Sequence, residues 1–297
     1  MSQQHSHDEH LICTACGTYY RNSPDRTHCS VCDDERQYVP ASGQAFTTVT
    51  ALKQKGHKVV FEEVSADIVA LALEPKFAIG QRAYLVRTPQ GNVLWDCIPF
   101  LDDDAIEKIK ELGGVKAIGI SHPHYYSAHP LYIKAFGCVV YAHVGDLSWI
   151  QNAGNTITPF TDSSFSPLPG ITFIRCGGHF EGSSCLHLSR ANNHNVLLTS
   201  DTIMVNADRK SFSFMYSYPN YVPLAPKEIL GIWNAVREWQ FEDVYGAFAG
   251  QSVIGDARKK VLWSARRYLR FEGWNVEEGD AESAEVGFRG PRQEYEM

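Results

Sequence analysis

The sequence predicts an α/β protein in which two mixed β-sheets pack together with helices on their outer faces, preceded by a small cysteine-stapled module. Three observations predict it. Strand-like segments cluster first and mixed strand-helix units follow, the order expected when two sheets share a core. The chain of 297 residues is 44% hydrophobic and 21% charged, enough apolar surface for one sizeable α/β body and a satellite. Residues 11–40, by contrast, are poor in aliphatic side chains and hold two cysteine pairs, so they need a cross-link or a metal to keep a shape. The expected divisions are a module over 1–45, a body over 46–271 and an acidic, frayed tail over 272–297.

The module is read from its cysteines. Cys13-x2-Cys16 and Cys29-x2-Cys32 stand twelve residues apart, a spacing that lets two knuckles present four thiolates tetrahedrally to one Zn²⁺. Gly17 suits the first knuckle, whose backbone must turn its amides toward sulfur. The pair also resembles the knuckles of rubredoxins, but the second, residues 29–34, lacks the matching glycine, so zinc ranks above iron. Four thiolates leave no open coordination position, which implies a structural ribbon. His5, His7, His10 and His28 lie nearby and are read as solvent-facing.

A helix is predicted over 64–73, where Ile68, Val69 and Leu73 make a stripe. Two strands, 81–86 and 92–96, flank the turn Pro89-Gln90-Gly91. Asp102 to Asp104 cap a helix with Ile106, Ile109 and Leu112 on one face, stopped by Gly113-Gly114. A strand over 115–120 follows, then a helix over 130–136 and strands over 138–142, 171–175, 185–188 and 196–199. The pattern closes with a helix over 227–239, a strand over 244–248 and an amphipathic helix over 257–269. No internal repeat is present.

The formal net charge of -7 is spread over short acidic clusters and leaves no footprint for a phosphate backbone, so nucleic acid is not expected as a partner. The sequence has no apolar run long enough for a membrane span and no signal-peptide core at the first residues, so a cytoplasmic protein without a membrane partner is expected. Cys97, Cys138, Cys176 and Cys185 lie in apolar, strand-like runs and read as buried thiols of a reducing compartment. A homodimer is compatible with the sequence.

The chemistry lies in four further elements. Ser121-His122-Pro123-His124 follows the strand over 115–120, and extended alternation puts both imidazoles on one side. Gly177-Gly178-His179-Phe180 presents a third histidine on a glycine-rich turn, and an apolar strand ends at Ser200-Asp201. In this order, the elements resemble the metallo-β-lactamase superfamily, with its strand-ending HxHxDH, Gly-His turn, strand-ending Asp and late His, over roughly residues 79–270. The resemblance implies an αββα sandwich. It implies as metal ligands His122, His124 and His179, with Asp201 as the carboxylate.

Departures from the pattern matter equally. Tyr126 stands where the motif has Asp, Ser127 where it has His, and Gln251 about where the late His belongs. The second metal site has therefore lost its private ligands, and a mononuclear Zn²⁺ centre is expected, with the fourth position open to water or taken by Asp201. Such a centre implies a hydrolase that attacks an amide, lactam, lactone or ester carbonyl with zinc-bound hydroxide. Asp201 would orient the nucleophile or take its proton, Tyr126 would protonate the leaving group, and His129 would either replace a lost ligand or transfer protons or else serve as a core or surface histidine. Residues 212–221, rich in Phe and Tyr, would either wall a pocket for a small, flat or aromatic substrate or serve as ordinary core and lid packing. Two rival readings are a non-haem Fe(II) enzyme like the superfamily's sulfur dioxygenases, built on His122, His179 and Asp201, and a scaffold without activity.

Overall fold

The computed structural model describes residues 10–20, 26–150, 156–276 and 288–291. Its first unit is a three-stranded antiparallel ribbon, β1 (Leu11–Cys13), β2 (Tyr19–Tyr20) and β3 (Phe46–Thr47), in the order β2-β1-β3. Its turns carry the four cysteines, which fill the place of a hydrophobic core together with Tyr20 and Val31. The ribbon lies against the body: Tyr19 donates to the Pro99 carbonyl at 3.0 Å, and Ile12 and Tyr19 join the body's own core. Gly17 is forced at this seam, since its φ is +84° and a Cβ there would stand 2.8 Å from Pro99. His5 and His7 lie outside the described residues. His28 is exposed and pairs with Asp33 at 2.7 Å.

After α1 (Val49–Gln54) come β4 (Lys58–Ser65), β5 (Ile68–Glu74), β6 (Ala83–Val86) and β7 (Val93–Trp95), an antiparallel meander. The helix expected over 64–73 is thus a hairpin. Its apolar run is continuous because β5 is buried on both faces, with Val69 and Leu71 facing one core and Ile68 and Ala70 another, and such a run carries no period that separates strand from helix. α2 (Asp103–Glu111) is capped by Asp102, whose carboxylate accepts from the Ala105 amide at 2.7 Å. β8 (Ala117–Gly119), α3 (His129–Phe136), β9 (Val139–His143) and β10 (Ile157–Phe160) add parallel strands, completing the seven-stranded order β10-β9-β8-β7-β6-β5-β4.

The second sheet runs β11 (Ser164–Leu168), β12 (Ile171–Arg175), β13 (Ser184–Leu188) and β14 (Val196–Ser200). Two short ribbons, β15 (Met204–Val205) with β16 (Phe212–Ser213) and β17 (Met215–Ser217) with β18 (Val222–Pro223), precede α4 (Pro226–Val236). β19 (Asp243–Gly246) and β20 (Ser252–Val253) then complete the order β11-β12-β13-β14-β19-β20, and α5 (Ala257–Phe271) follows. In the tail, β21 (Trp274–Val276) pairs with β22 (Phe288–Pro291), so these residues form a two-stranded ribbon; 277–287 and 292–297 lie outside the described residues.

Period-2 alternation sorts the side chains into layers. Ala83 and Leu85 of β6 face α1 to α3, whereas Tyr84 and Val86 face the second sheet. In β14, Val196 and Leu198 meet the first sheet and Leu197 meets α4 and α5. The architecture is helices, sheet, sheet, helices. Gly119 lets the sheets close up, since a Cβ there would sit 2.4 Å from the Phe173 ring and 2.8 Å from Trp95. Cys97, Cys138, Cys176 and Cys185 are buried free thiols. No helix among the described residues is long and apolar enough to cross a membrane.

Candidate metal centre

Both sheets deliver residues to one end of the sandwich. His122 leaves β8 in an extended conformation, and a single turn of 3₁₀ helix, Pro123–Tyr125, swings His124 beside it. His179 comes from the turn between β12 and β13, and Asp201 follows β14. One potential ligand atom from each of the four lies within 4.8 Å of the others, and all four residues are buried. His122 Nε2 stands 3.4 Å and His124 Nδ1 4.0 Å from Asp201 Oδ2, and His179 Nε2 is 3.5 Å from His124 Nδ1.

The surroundings fix which nitrogens face inward. His179 Nδ1–H donates to the Met215 carbonyl at 3.0 Å, leaving Nε2 its lone pair. Ser121 Oγ donates to Asp96 at 2.9 Å and accepts from His122 Nδ1 at 2.8 Å, which frees His122 Nε2 in the same way. Asp96 is itself buried, held by the Ser121 amide at 2.8 Å and by the Ser200 hydroxyl, and desolvation pushes its carboxyl up to about 6. His122 Nε2 is a buried polar atom without a hydrogen-bond partner, the costly state that a metal ion relieves.

Electrostatics also suit a cation. Burial lowers His124 to about 4 against the opposing pull of Asp201, and burial likewise holds His179 well below its ordinary range, so both stay neutral and ligand-competent. Desolvation opposes ionisation of Asp201, but its contacts with His122 and His124 outweigh that and keep it below the usual carboxylate range. Three neutral imidazoles and one carboxylate fit a divalent transition metal. The ribbon holds the second group. Cys13 and Cys32 sulfurs are 3.7 Å apart, Cys16 and Cys29 3.5 Å, close to the ~3.8 Å edge of a tetrahedron with Zn–S bonds of about 2.3 Å.

No family model matches the chain. The uncharacterized protein YmaE of Bacillus subtilis (strain 168) is 39% identical over 264 residues, 88% of this chain and 96% of YmaE. The chain belongs to the family of YmaE. Among solved structures, the mono-zinc form of the metallo-β-lactamase FIM-1 from Pseudomonas aeruginosa superposes with a TM-score of 0.52 at 15% identity, covering 71% of this chain and 96% of FIM-1. A peroxy diiron form of the chemotaxis sensor ODP gives 0.50 at 17%, covering 70% and 94%. The chain has the metallo-β-lactamase fold.

Within that fold the departures go elsewhere. Tyr126, expected as proton donor, points its hydroxyl at the Trp149 carbonyl and stacks its ring on His129 at 6.1 Å. Its neighbour Tyr125 reaches the site, donating to Asp201 Oδ1 at 2.8 Å. The 3₁₀ turn is the reason, because it reverses which of two adjacent tyrosines faces the histidines. His129 takes the core role among its two readings rather than the catalytic one: its ring nitrogens contact the Tyr126 carbonyl at 2.9 Å and Thr156 Oγ1 at 3.0 Å, a satisfied core histidine. Ser127 Oγ meets the Gly17 carbonyl at 3.4 Å, and Phe248 rather than Gln251 lines the cavity at the site.

That cavity is about 250 Å³, bounded by His124, His179, Asp201, Met204, Tyr218 and Phe248 on the body side. The aromatic stretch contributes less to it than expected. Phe212 and Phe214 are fully buried in the core under α4 and α5, Tyr221 is 84% exposed, and Tyr218 is the stretch's aromatic at the cavity. Tyr218 donates to the Asp201 main-chain carbonyl at 2.9 Å and packs its ring 5.8 Å from His179. Sequence reasoning missed Tyr125, for which the signal available was only its place beside His124, and it reached Tyr218 only as one member of the aromatic stretch.

Proposed function

We propose that the chain is a hydrolase that works with one metal ion, Zn²⁺ before others, held by His122, His124 and His179 with Asp201 alongside, on the carbonyl of a small amide, lactam, lactone or ester. The observation that carries this reading is the convergence of the four donors within 4.8 Å, one of them an orphaned, buried imidazole nitrogen. Bound there, such an ion supplies a Lewis acid and water whose pKa falls toward ~7. The remaining work belongs to the protein. Asp201, held ionised, offers Oδ2 as an acceptor that orients the attacking water, while Tyr125 fixes the same carboxylate through Oδ1. Tyr125, whose hydroxyl already donates at the site, replaces Tyr126 as the proton-bearing group for the leaving atom. Phe248, Met204 and Tyr218 keep one side of the cavity apolar, and its size suits a compact substrate.

Metal content per chain, on wild type and on His122→Ala/His179→Ala, tests this. About two zinc ions falling to about one supports a ribbon and a mononuclear site, and justifies screening lactams, lactones and esters. Iron in the site instead redirects the screen to O₂ consumption with a persulfide. A content unchanged by the mutations, with added Zn²⁺ or Fe²⁺ failing to bind, ends the enzyme reading in favour of the scaffold.

A further inference from the structure

The histidine site is not completed by the metallo-β-lactamase fold alone. Besides Phe248 and Met204 of the body, its cavity is lined by Ala15 of the first cysteine knuckle and by Arg36, Gln37 and Tyr38, which follow the second. Gln37 Nε2 lies 3.2 and 3.1 Å from the two ring nitrogens of His124, so the amide sits against the edge of a candidate metal ligand.

This segment is clasped by the body at the loop that also holds His179. Asn220 Nδ2 donates to the carbonyls of Glu35 at 3.1 Å and Gln37 at 3.0 Å, and Ser217 Oγ donates to the Arg36 carbonyl at 2.9 Å. Tyr216 donates to Glu35 Oε1 at 2.5 Å. The Arg36 guanidinium lies 4.2 Å above the ring of Phe180, the residue after His179, and 4.7 Å above Tyr216, while pairing with Asp34 at 2.9 Å. Asp34 follows Cys32 by two residues, so the fold of the second knuckle sets where the clasped segment begins.

We infer that residues 34–38, positioned by the four-cysteine ribbon, are the closing wall of the histidine site, and that Gln37 is the positioning residue that sets access to the metal group and faces whatever binds beside His124. The ribbon then has a function beyond stability: it selects compact ligands that can offer an acceptor to the Gln37 amide. The inference rests on the histidine group holding a metal, not on the reaction performed there.

The test uses the full chain with Zn²⁺ in the ribbon and Co²⁺ in the histidine site. Release of Co²⁺ to excess dipicolinate, a compact chelator that must enter the cavity, is followed in wild type, Gln37→Ala and Ser217→Ala/Asn220→Ala, with the exposed Gln90→Ala as control. Removing the clasp's side-chain hydrogen bonds should speed release roughly tenfold or more. Gln37→Ala should also change the visible Co²⁺ spectrum, which a merely structural role would leave alone, while thermal midpoints show each variant folded. Release rates and spectra equal to wild type in folded variants overturn the wall and leave the metal site standing. Failure of His122→Ala to lose one metal equivalent overturns both.

Discussion

Ser121→Ala removes a single buried hydroxyl that touches neither substrate nor metal, yet it should loosen the histidine site. Ser121 Oγ joins the Asp96 carboxylate at 2.9 Å to His122 Nδ1 at 2.8 Å, so the charge of Asp96 reaches the imidazole through one hydroxyl. Without it, His122 Nδ1–H faces a space vacated by oxygen, and the tautomer that frees Nε2 loses its preference. The strand end itself stays in place, because the Ser121 amide still donates to Asp96 Oδ1 at 2.8 Å. Loss of such an outer partner typically weakens metal binding by about 10- to 100-fold, or ~1.4–2.7 kcal/mol. Competition of the histidine site against a chelator series measures it, with Ser121→Thr, which keeps the hydroxyl, expected to recover most of the affinity. An affinity within about twofold of wild type in a normally folded Ser121→Ala would refute the relay, since that lies far below the expected range.

Adjacent tyrosines should separate cleanly: Tyr125→Phe lowers turnover on any substrate found, whereas Tyr126→Phe, which loses its bond to the Trp149 carbonyl away from the histidines, leaves turnover intact and costs about 1 kcal/mol in denaturant melts. Gly178→Ala should destabilise the chain by about 2 kcal/mol or more and displace His179, because φ is +84° and the new Cβ would stand 2.7 Å from Ile232; circular dichroism melts and metal content read both effects. In metal-free protein, His124 is lowered from 6.5 to about 4, so the unfolded chain binds the extra proton between those values. Its contribution is therefore present above pH 6.5 and falls on acidification toward 4. The stability of wild type relative to His124→Gln should drop by on the order of 3 kcal/mol across that window, and a flat difference in pH-dependent urea melts would reject the assignment.

The candidate ligands were legible in the sequence because each sits at the end of an apolar strand or on a glycine turn, where chain direction leaves little choice of exposure. His122, His124, His179 and Asp201 meet for that reason, and the four cysteines do so through their spacing alone. The helices over α2, α4 and α5 were equally readable from caps and period. What failed was local geometry. The 64–73 segment has no period because both its faces are buried, and the assignment of Tyr126 assumed that a motif position keeps its direction after the motif's residues have changed. One turn of 3₁₀ helix undoes that assumption. The Ser121–Asp96 and Gln37–His124 contacts join residues 25 and 87 positions apart, and no local pattern records them.

Those long-range contacts bear on the positions at which the chain departs from the HxHxDH pattern it resembles. Ser127 and Tyr126 stand where that pattern has His and Asp, and neither is idle: Ser127 Oγ meets the Gly17 carbonyl of the first knuckle, and Tyr126 is fixed to Trp149 and His129. Gln37 arrives from the second knuckle against His124. A second cation with its own carboxylate and imidazole would need the Tyr126 and Ser127 side chains turned toward the cavity, at the expense of the contact with Gly17. Restoring the pattern by Tyr126→Asp and Ser127→His should therefore weaken the seam between ribbon and body before it creates a second site. Two measurements on that double variant decide the point: the thermal midpoint, expected to fall by several degrees for a loss of about 1–2 kcal/mol, and the metal content, expected to stay at the wild-type value. A third metal equivalent bound with an undiminished midpoint would mean that the ribbon and the second site do not compete.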